Sequence, residues 1–399
     1  MRQPLRIRSI SVIPLAIPLR FRFEHAAASR DTADPVLVRL TAETPYGEHE
    51  GYGETLARRY VTGETAETVR DDVLDLFLPH LLELRAESFS EVVGFANELP
   101  CWIDGRLVNA ARCAVELALL DLAGRVFRRR LSDVHGWVDL PGFQPPGCLE
   151  QARYSGMVVG RDSKRLRALL LLQRLYGLCD FKIKVAVPGW EDKLARASRA
   201  LGGALRSGVL TLRADANGAW NLEQALEALP ILENAGVSAL EQPLPVSDED
   251  KLAQLAQTGR CDLIADESLL TLEDAEELIR AGAVKVMNVR LAKNGGLLPS
   301  LQIAHRALAA GRDVQLGCLV GETSLLSAAG SAFLELCPGV RFVEGGFGPL
   351  LLCGDVTRKP VRFGFGGRMR ARHGHGLGVE VDEAAFERFA AGPAKTVQF

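Results

Sequence analysis

The chain has 399 residues, 47% hydrophobic and 24% charged, which is typical of a folded protein with two domains or one large domain and an appendage. A net charge of −3 gives no reason to expect binding to nucleic acid or a membrane, and no uncharged apolar run reaches the roughly 20 residues that span a bilayer. The eight cysteines form no C-x-x-C pair and the first residues lack a signal-peptide core, so we predict a cytoplasmic protein with reduced thiols.

The N-terminal part predicts strands followed by helices. Three alternating, β-branched runs predict antiparallel strands, namely "IRSISVIPLAI", "PVLVRLTAE" and "GYGETLA". Two amphipathic stretches then predict helices: "TAETVRDDVLDLFLPHLLEL", for which Thr65 is the expected N-cap, and "NAARCAVELALLDLAGRVF". This order indicates an α+β domain.

From about residue 150, short strand-like runs alternate with helix-length segments. The eight runs are "YSGMVV", "FKIKVAV", "VLTLRADAN", "SALEQPL", "DLIADES", "VKVMNVR", "DVQLGCL" and "VRFVEGG". Eight strands separated by helices predict right-handed βαβ units that close into a parallel barrel. An open doubly wound sheet is the alternative, but the G-x-G-x-x-G after its first strand is missing. After residue 350 a glycine- and arginine-rich tail precedes a short predicted helix, "DEAAFERFAA".

Charged residues stand at the ends of five successive predicted strands of the barrel. They are Lys182 and Lys184 on the second strand, then Asp215, Glu241, Asp266 and Arg290, the last four at intervals of 24 to 26 residues. Active sites of such barrels lie at these strand ends, so the three carboxylates should converge. Burying uncompensated charge is expensive, and a divalent cation would neutralise it. Carboxylate oxygens suit Mg²⁺, with Mn²⁺ as an alternative, better than zinc.

The two lysines of "FKIKV" are two residues apart on a strand, so Lys182 and Lys184 point to the same face. Two neighbouring ammonium groups disfavour double protonation, which should lower a lysine pKa towards the range of a general base.

The segments "FKIKV", "RADAN", "ALEQPLP", "IADESL", "NVRLAKNGG" and "GLGVEVDE", with "YVTGET" at 60–65, resemble the motif series of the enolase superfamily, in its muconate lactonizing subgroup. The resemblance implies an α+β capping domain over residues 1–145, a TIM-type (β/α)7-8 barrel over 146–350, and a C-terminal segment, 351–399, that packs back on the capping domain.

The same resemblance implies roles for individual residues. Asp215, Glu241 and Asp266 would bind Mg²⁺, and Lys184 would remove a proton α to a substrate carboxylate. Lys182 would lower the pKa of that base and contact the carboxylate. Asn217 and Glu267 would support the metal ligands from behind.

Arg290 departs from the subgroup, which normally presents a second lysine at this position. Arginine stays protonated, so it is a poor base but a strong fixed cation. A racemase needs a base on each face of the carbon, whereas a cycloisomerase or a syn-eliminating lyase needs only one. We therefore predict one-base cycloisomerase or lyase chemistry. A racemase or epimerase of a small carboxylate or amino-acid derivative, and a metal-binding pseudoenzyme, remain the alternatives.

Two other arrangements of the superfamily fit less well. The seventh strand lacks the histidine of mandelate racemases, and the eighth has Glu344, Gly345 and Gly346 where dipeptide epimerases have Asp-x-Asp. Substrate contacts are expected from the first-domain loops at 20–30 and 57–64, and from beyond the seventh strand; the candidates are Arg22, His25, Tyr60 and Glu322. We expect a small carboxylate substrate and a homo-oligomer.

Overall fold

The computed structural model describes residues 5–25, 28–44, 47–160 and 162–399, without the side chains of residues 23–25, 28 and 29. The N-terminal strands are β1 (Arg6–Pro14), β2 (Ile17–His25), β3 (Ala28–Ala33), β4 (Val36–Thr44), β5 (Gly47–Thr55), β6 (Trp102–Ile103) and β7 (Arg106–Leu107). β1, β4 and β5 form an antiparallel sheet, as the three alternating runs predict. The β2–β3 hairpin was not predicted from the sequence.

Helices cover one face of this sheet. They are α1 (Arg59–Thr62), α2 (Ala66–Asp72), α3 (Leu78–Glu83), α4 (Phe89–Asn97) and α5 (Asn109–Phe127), with a π-helical segment, Val73–Phe77, between α2 and α3. Thr65 caps α2 as predicted, because its side chain accepts the Thr68 N–H. α5 packs closely on β5, where a Cβ at Gly53 would clash with the backbone of Ala114. The glycines of "GYGE" therefore let a small-residue helix approach the sheet.

The parallel barrel begins after residue 150. Its strands are β8 (Gly156–Met157), β9 (Asp180–Lys184), β10 (Thr211–Asp215), β11 (Ala239–Glu241), β12 (Asp262–Ala265), β13 (Val286–Val289), β14 (Asp313–Leu316) and β15 (Phe342–Val343). Neighbours pair in chain order, and a parallel bridge between Tyr154 and Val343 brings the two edges of the curled sheet together. Each of the eight predicted runs contains one strand, except that β9 begins one residue before its run, so the barrel prediction is confirmed.

Helices surround the barrel, and the chain then returns to the first domain. They are α6 (Ser163–Leu175), α7 (Trp190–Leu201), α8 (Gly203–Arg206), α9 (Leu222–Asn234), α10 (Leu252–Thr258), α11 (Leu272–Ala281), α12 (Leu297–Ala309), α13 (Ser324–Leu336), α14 (Gly348–Leu351) and α15 (Glu383–Arg388). Three 3₁₀ segments add Leu131–Gly136, Val246–Lys251 and Phe365–Gly367. The last strand, β16 (Lys395–Gln398), pairs with β1, which the sequence did not predict. No helix in the described part of the chain is long and apolar enough to cross a membrane.

Buried charged groups join the N-terminal domain to the barrel. Glu54, near the end of β5, accepts hydrogen bonds from the N–H groups of Thr323 (2.7 Å) and Leu326 (3.0 Å) at the start of α13. Arg58 donates to Asp34 Oδ1 and to the carbonyl of Val320, both at 2.8 Å. These contacts hold the N-terminal domain over the mouth of the barrel. A cavity lies there between the N-terminal domain and the barrel.

Candidate active site

Lys182 is surrounded by carboxylates at the end of β9. Its side chain is 2% exposed, and its Nζ lies 2.9 Å from Asp215 Oδ2, 2.8 Å from Glu241 Oε1 and 2.8 Å from Glu344 Oε1. Burial alone would lower the pKa of Lys182, but attraction to the three carboxylates outweighs it and raises the pKa well above its usual value. Lys182 therefore stays protonated as a fixed cation beside Lys184.

Lys184 reaches the cavity instead. Its Nζ donates to Asp215 Oδ2 at 2.6 Å and to Asn217 Oδ1 at 2.8 Å, and its side chain remains 15% exposed. Asn217 in turn donates to Glu267 Oε1 at 3.2 Å. The left-handed backbone of Asn217 (φ 49°) turns the chain back, so its own N–H donates to Asp215 Oδ1 at 2.9 Å. One short turn thus positions the lysine that faces the cavity.

The three predicted metal ligands lie side by side and are fully buried. Asp215 and Glu241 are register partners across β10 and β11, and Asp266 follows β12 directly. Burial opposes ionisation of Asp215, but Lys182 and Lys184 hold its pKa well below the usual range. Burial and the neighbouring Asp215 raise the pKa of Glu241 to about 7. Burial also raises the pKa of Asp266.

The chemistry of this donor set fits Mg²⁺. Three buried carboxylates at adjacent strand ends supply the hard oxygen ligands that Mg²⁺ prefers. Asp266 Oδ2 and Glu267 Oε2 are both buried, and Glu267 Oε2 accepts no hydrogen bond from the described residues. The carboxylate oxygens face cationic side chains here, and no three His, Cys, Asp or Glu side chains of the described residues surround a common metal position.

Arg290 stands across the barrel from Lys184. Its Nη2 contacts Asp266 Oδ2 and lies 3.3 Å from Glu241 Oε1. Burial would lower the pKa of Arg290, but attraction to these acids holds it well above the usual value, so the guanidinium stays charged. Three strands separate β13 from β9 in an eight-stranded sheet, so Arg290 and Lys184 approach the cavity from opposite sides.

Gly317, just after β14, makes room for this arginine. A Cβ there would lie 2.3 Å from Asn288 Oδ1, 2.9 Å from Arg290 Cγ and 3.0 Å from Arg290 Nε, so the glycine makes room for both side chains. Lys293 does not share the cavity: it is fully buried, and its Nζ donates to the carbonyls of Asp266 (2.6 Å) and Asn288 (2.8 Å). It therefore ties the ends of β12 and β13 together.

Sequence reasoning missed Glu344 and Arg213 as parts of the site. Glu344 Oε1 accepts from Lys182 and, at 3.1 Å, from Arg213 Nη2. The Arg213 guanidinium also stacks over the Phe342 ring, 4.1 Å from its centroid. Glu344 comes directly after the eighth barrel strand, and the three predicted metal ligands likewise lie at or just after the ends of their strands. This shared position could have identified Glu344 as part of the site from the sequence.

A cavity of about 350 Å³ opens above these residues. Its floor includes Lys182, Lys184 and Arg290, and its wall is largely apolar. Tyr60 of α1 lines it, as expected of a substrate contact, whereas Arg22 is exposed and not among its described lining residues. The side chain of His25 lies outside the described residues.

Glu322 also lines the cavity, beyond the seventh barrel strand as predicted. Its Oε1 accepts the N–H of Leu319 at 2.6 Å. Burial raises the pKa of Glu322 to about 8.

Two family models match the chain: the enolase C-terminal domain-like model over residues 166–385, and the mandelate racemase / muconate lactonizing enzyme N-terminal domain over 7–136. Muconate cycloisomerase 1 of Rhodococcus opacus is 30% identical over 398 residues, 95% of this chain and 96% of that protein. N-succinyl-L-Arg/Lys racemase of Bacillus cereus is 27% identical and covers 95% of this chain and 96% of its own length. The crystal structure of muconate lactonizing enzyme from Pseudomonas fluorescens complexed with muconolactone has a TM-score of 0.83 at 25% identity, covering 97% and 99% of the two chains.

Proposed function

The chain belongs to the enolase superfamily, with the mandelate racemase and muconate lactonizing enzymes, and we propose that it uses Lys184 as a single base to remove the proton α to a substrate carboxylate. The observation that carries this proposal is the asymmetry of the cavity floor. Lys184 reaches the cavity on one side, and a permanently charged Arg290 stands on the other. One face of the substrate carbon thus meets a base and the other meets a cation.

Removing an α-proton places additional negative charge on the carboxylate oxygens, and the floor is built to stabilise it. Lys182 and Arg290 are fixed cations at its edge, held by buried acids so that they need not reorganise during the reaction. When bound by Asp215, Glu241 and Asp266, Mg²⁺ would stabilise charge on the same oxygens. Lys184 then holds the proton. In a syn-eliminating lyase the bond between the β-carbon and the leaving group breaks, and the leaving group takes the proton; in a cycloisomerase a ring C–O bond at that carbon forms or breaks while Lys184 gives or keeps the α-proton.

A racemase or epimerase is the second candidate, because one relative of nearly the same length carries the name of a racemase. Incubation with Mg²⁺ and chiral carboxylates in D₂O distinguishes the candidates, with deuterium at the α-carbon followed by NMR. We expect exchange in one enantiomer only. Similar rates in both enantiomers would support a racemase, and no exchange in any carboxylate would support a metal-binding pseudoenzyme.

A further inference from the structure

The cavity has a charged floor and an apolar wall, and this division carries information about the substrate. Among the described lining residues, the lysines and arginines are Lys182, Lys184 and Arg290, all at the floor on β9 or just after β13. All three contact buried carboxylates. A substrate carboxylate therefore finds lysine and arginine only at the floor, and the other described lining residues offer no lysine or arginine to a second carboxylate.

The wall is formed by large aliphatic and aromatic side chains from four parts of the chain. They include Met157 at the end of β8, Leu169 and Leu172 of α6, Leu319 after β14, Phe347 before α14, and Leu350 within it. Leu172 is 62% exposed and Leu350 is 63% exposed, although both border the cavity. An apolar ligand would remove this surface from water, which is a favourable change in free energy.

Glu322 lines the cavity after β14 and disfavours a second anion beside it. One of its oxygens is held by the Leu319 N–H, and no ion pair to Glu322 is formed within the described residues. A second substrate carboxylate placed beside it would face a carboxyl group in an apolar surrounding. That contact is repulsive when Glu322 is ionised and leaves the substrate charge poorly solvated when Glu322 is neutral.

We infer that the substrate is a monocarboxylate with an alkyl or aryl body, and that linear dicarboxylates of the same length are disfavoured. The inference rests on the proposed function in taking the floor as the carboxylate site. The carboxylate would lie between Lys184 and Arg290, and the apolar body would extend towards Leu172 and Leu350. A single-carboxylate specificity would separate this chain from the muconate cycloisomerases that it resembles.

Calorimetric titration with unreactive acids tests the inference without requiring turnover. The full-length protein, with Mg²⁺ present, is titrated with hexanoate, octanoate and suberate, the dicarboxylate with the carbon count of octanoate. We expect octanoate to bind about tenfold more tightly than hexanoate, since each buried methylene contributes roughly fourfold. We also expect octanoate to bind at least about tenfold more tightly than suberate.

Two substitutions on α6 test whether the apolar wall contacts the alkyl chain of the ligand, and a third substitution tests the effect of Glu322 on dicarboxylates. Leu172→Ser should weaken octanoate binding severalfold, while Leu175→Ser should not, because Leu175 is 69% exposed on α6 but is not among the residues that line the cavity. Glu322→Gln should improve the binding of suberate more than that of octanoate. Suberate binding as tight as octanoate, or octanoate no tighter than hexanoate, would overturn the inference. Loss of α-proton exchange with the binding series intact would instead count against the proposed reaction alone.

Discussion

At the residue scale, two lysines that look equivalent in "FKIKV" have separate environments. Lys182 contacts three carboxylates and is almost fully buried, whereas Lys184 contacts Asp215 and reaches the cavity. Alternation along a strand correctly predicts a shared face, but it cannot say how many acids from other strands converge on each lysine. That count depends on Glu344, more than 150 residues away in the chain.

The first prediction concerns the base. Lys184→Ala should reduce α-proton exchange by about 10³-fold, because general-base catalysis typically contributes 10²–10⁴-fold. Deuterium incorporation into a carboxylate found by screening measures the effect. Lys164→Ala, at an exposed position on α6, is the matched control and should exchange normally. A Lys184→Ala protein that keeps near-native exchange would place the base elsewhere.

The second prediction concerns the cation opposite the base. Arg290→Lys keeps a positive charge but loses the planar fork and supplies a group that can accept a proton. We expect native turnover to fall, and deuterium exchange to extend to the second enantiomer. If the unmodified protein already exchanges both enantiomers at similar rates, Arg290 or another residue acts as a second base.

The third prediction concerns the metal. Replacing Asp215, Glu241 or Asp266 by Ala should weaken Mg²⁺ binding by at least about tenfold, since each would remove one charged oxygen ligand. Calorimetry with Mg²⁺ measures the affinity, and circular dichroism checks that the fold is retained. Glu43→Ala, exposed on β4, is the control. Unchanged Mg²⁺ affinity in all three variants would exclude this ligand set.

At the scale of elements, the strand ends and the local N-cap of α2 were predictable, whereas caps supplied by distant parts of the chain were not. The five strands from β9 to β13 appear as short apolar runs with a charged residue at or just after their ends, so the local sequence predicts both the strand and the position of the charge. The N-terminus of α13 is capped by Glu54 from a different domain, and that of α12 by Glu116 of α5, whose carboxylate accepts the N–H groups of Leu297 (2.6 Å) and Leu298 (3.0 Å). No local pattern identifies such distant acceptors.

The loop after β14 also contains a residue, Gly317, whose structural role could not be predicted from the sequence. Gly317 looks like an ordinary glycine at a strand end, but it provides the space through which Arg290 passes. Sequence reading found the arginine because it broke a motif, and could not find the glycine that accommodates it.

At the scale of the whole molecule, the two domains meet through buried ionisable groups as well as apolar surface. Glu54 reaches α13 of the barrel, and Arg58 reaches Val320 in a loop that borders the cavity. The position of this cavity-lining loop and the stability of the domain contact therefore both depend on Arg58. The protonation of Glu54 should consequently be visible in the stability of the whole chain.

The fourth prediction follows from the pKa of Glu54. Burial raises this pKa to about 7, although hydrogen bonds from Thr323 and Leu326 act in the opposite direction. An unfolded glutamate titrates near about 4.3, so between about pH 4.3 and 7 the folded state binds more protons than the unfolded state. The free energy of unfolding should therefore decrease as pH rises through this window, and Glu54 should add no further loss above about pH 8.

Thermal unfolding midpoints at a fixed scan rate, from about pH 5 to 8, measure this dependence. Glu54→Gln cannot ionise, so its midpoint should fall by about 3 °C less over the same range, even if the variant is less stable throughout. Glu43→Gln, whose side chain is exposed, should retain the full decrease. Glu64 and Glu322, whose pKa values burial raises to about 7 and about 8, leave part of the slope in every variant. Identical slopes for Glu54→Gln and the unmodified protein would mean that Glu54 is already ionised at low pH, with the N-terminus of α13 stabilising its charge more than burial opposes it.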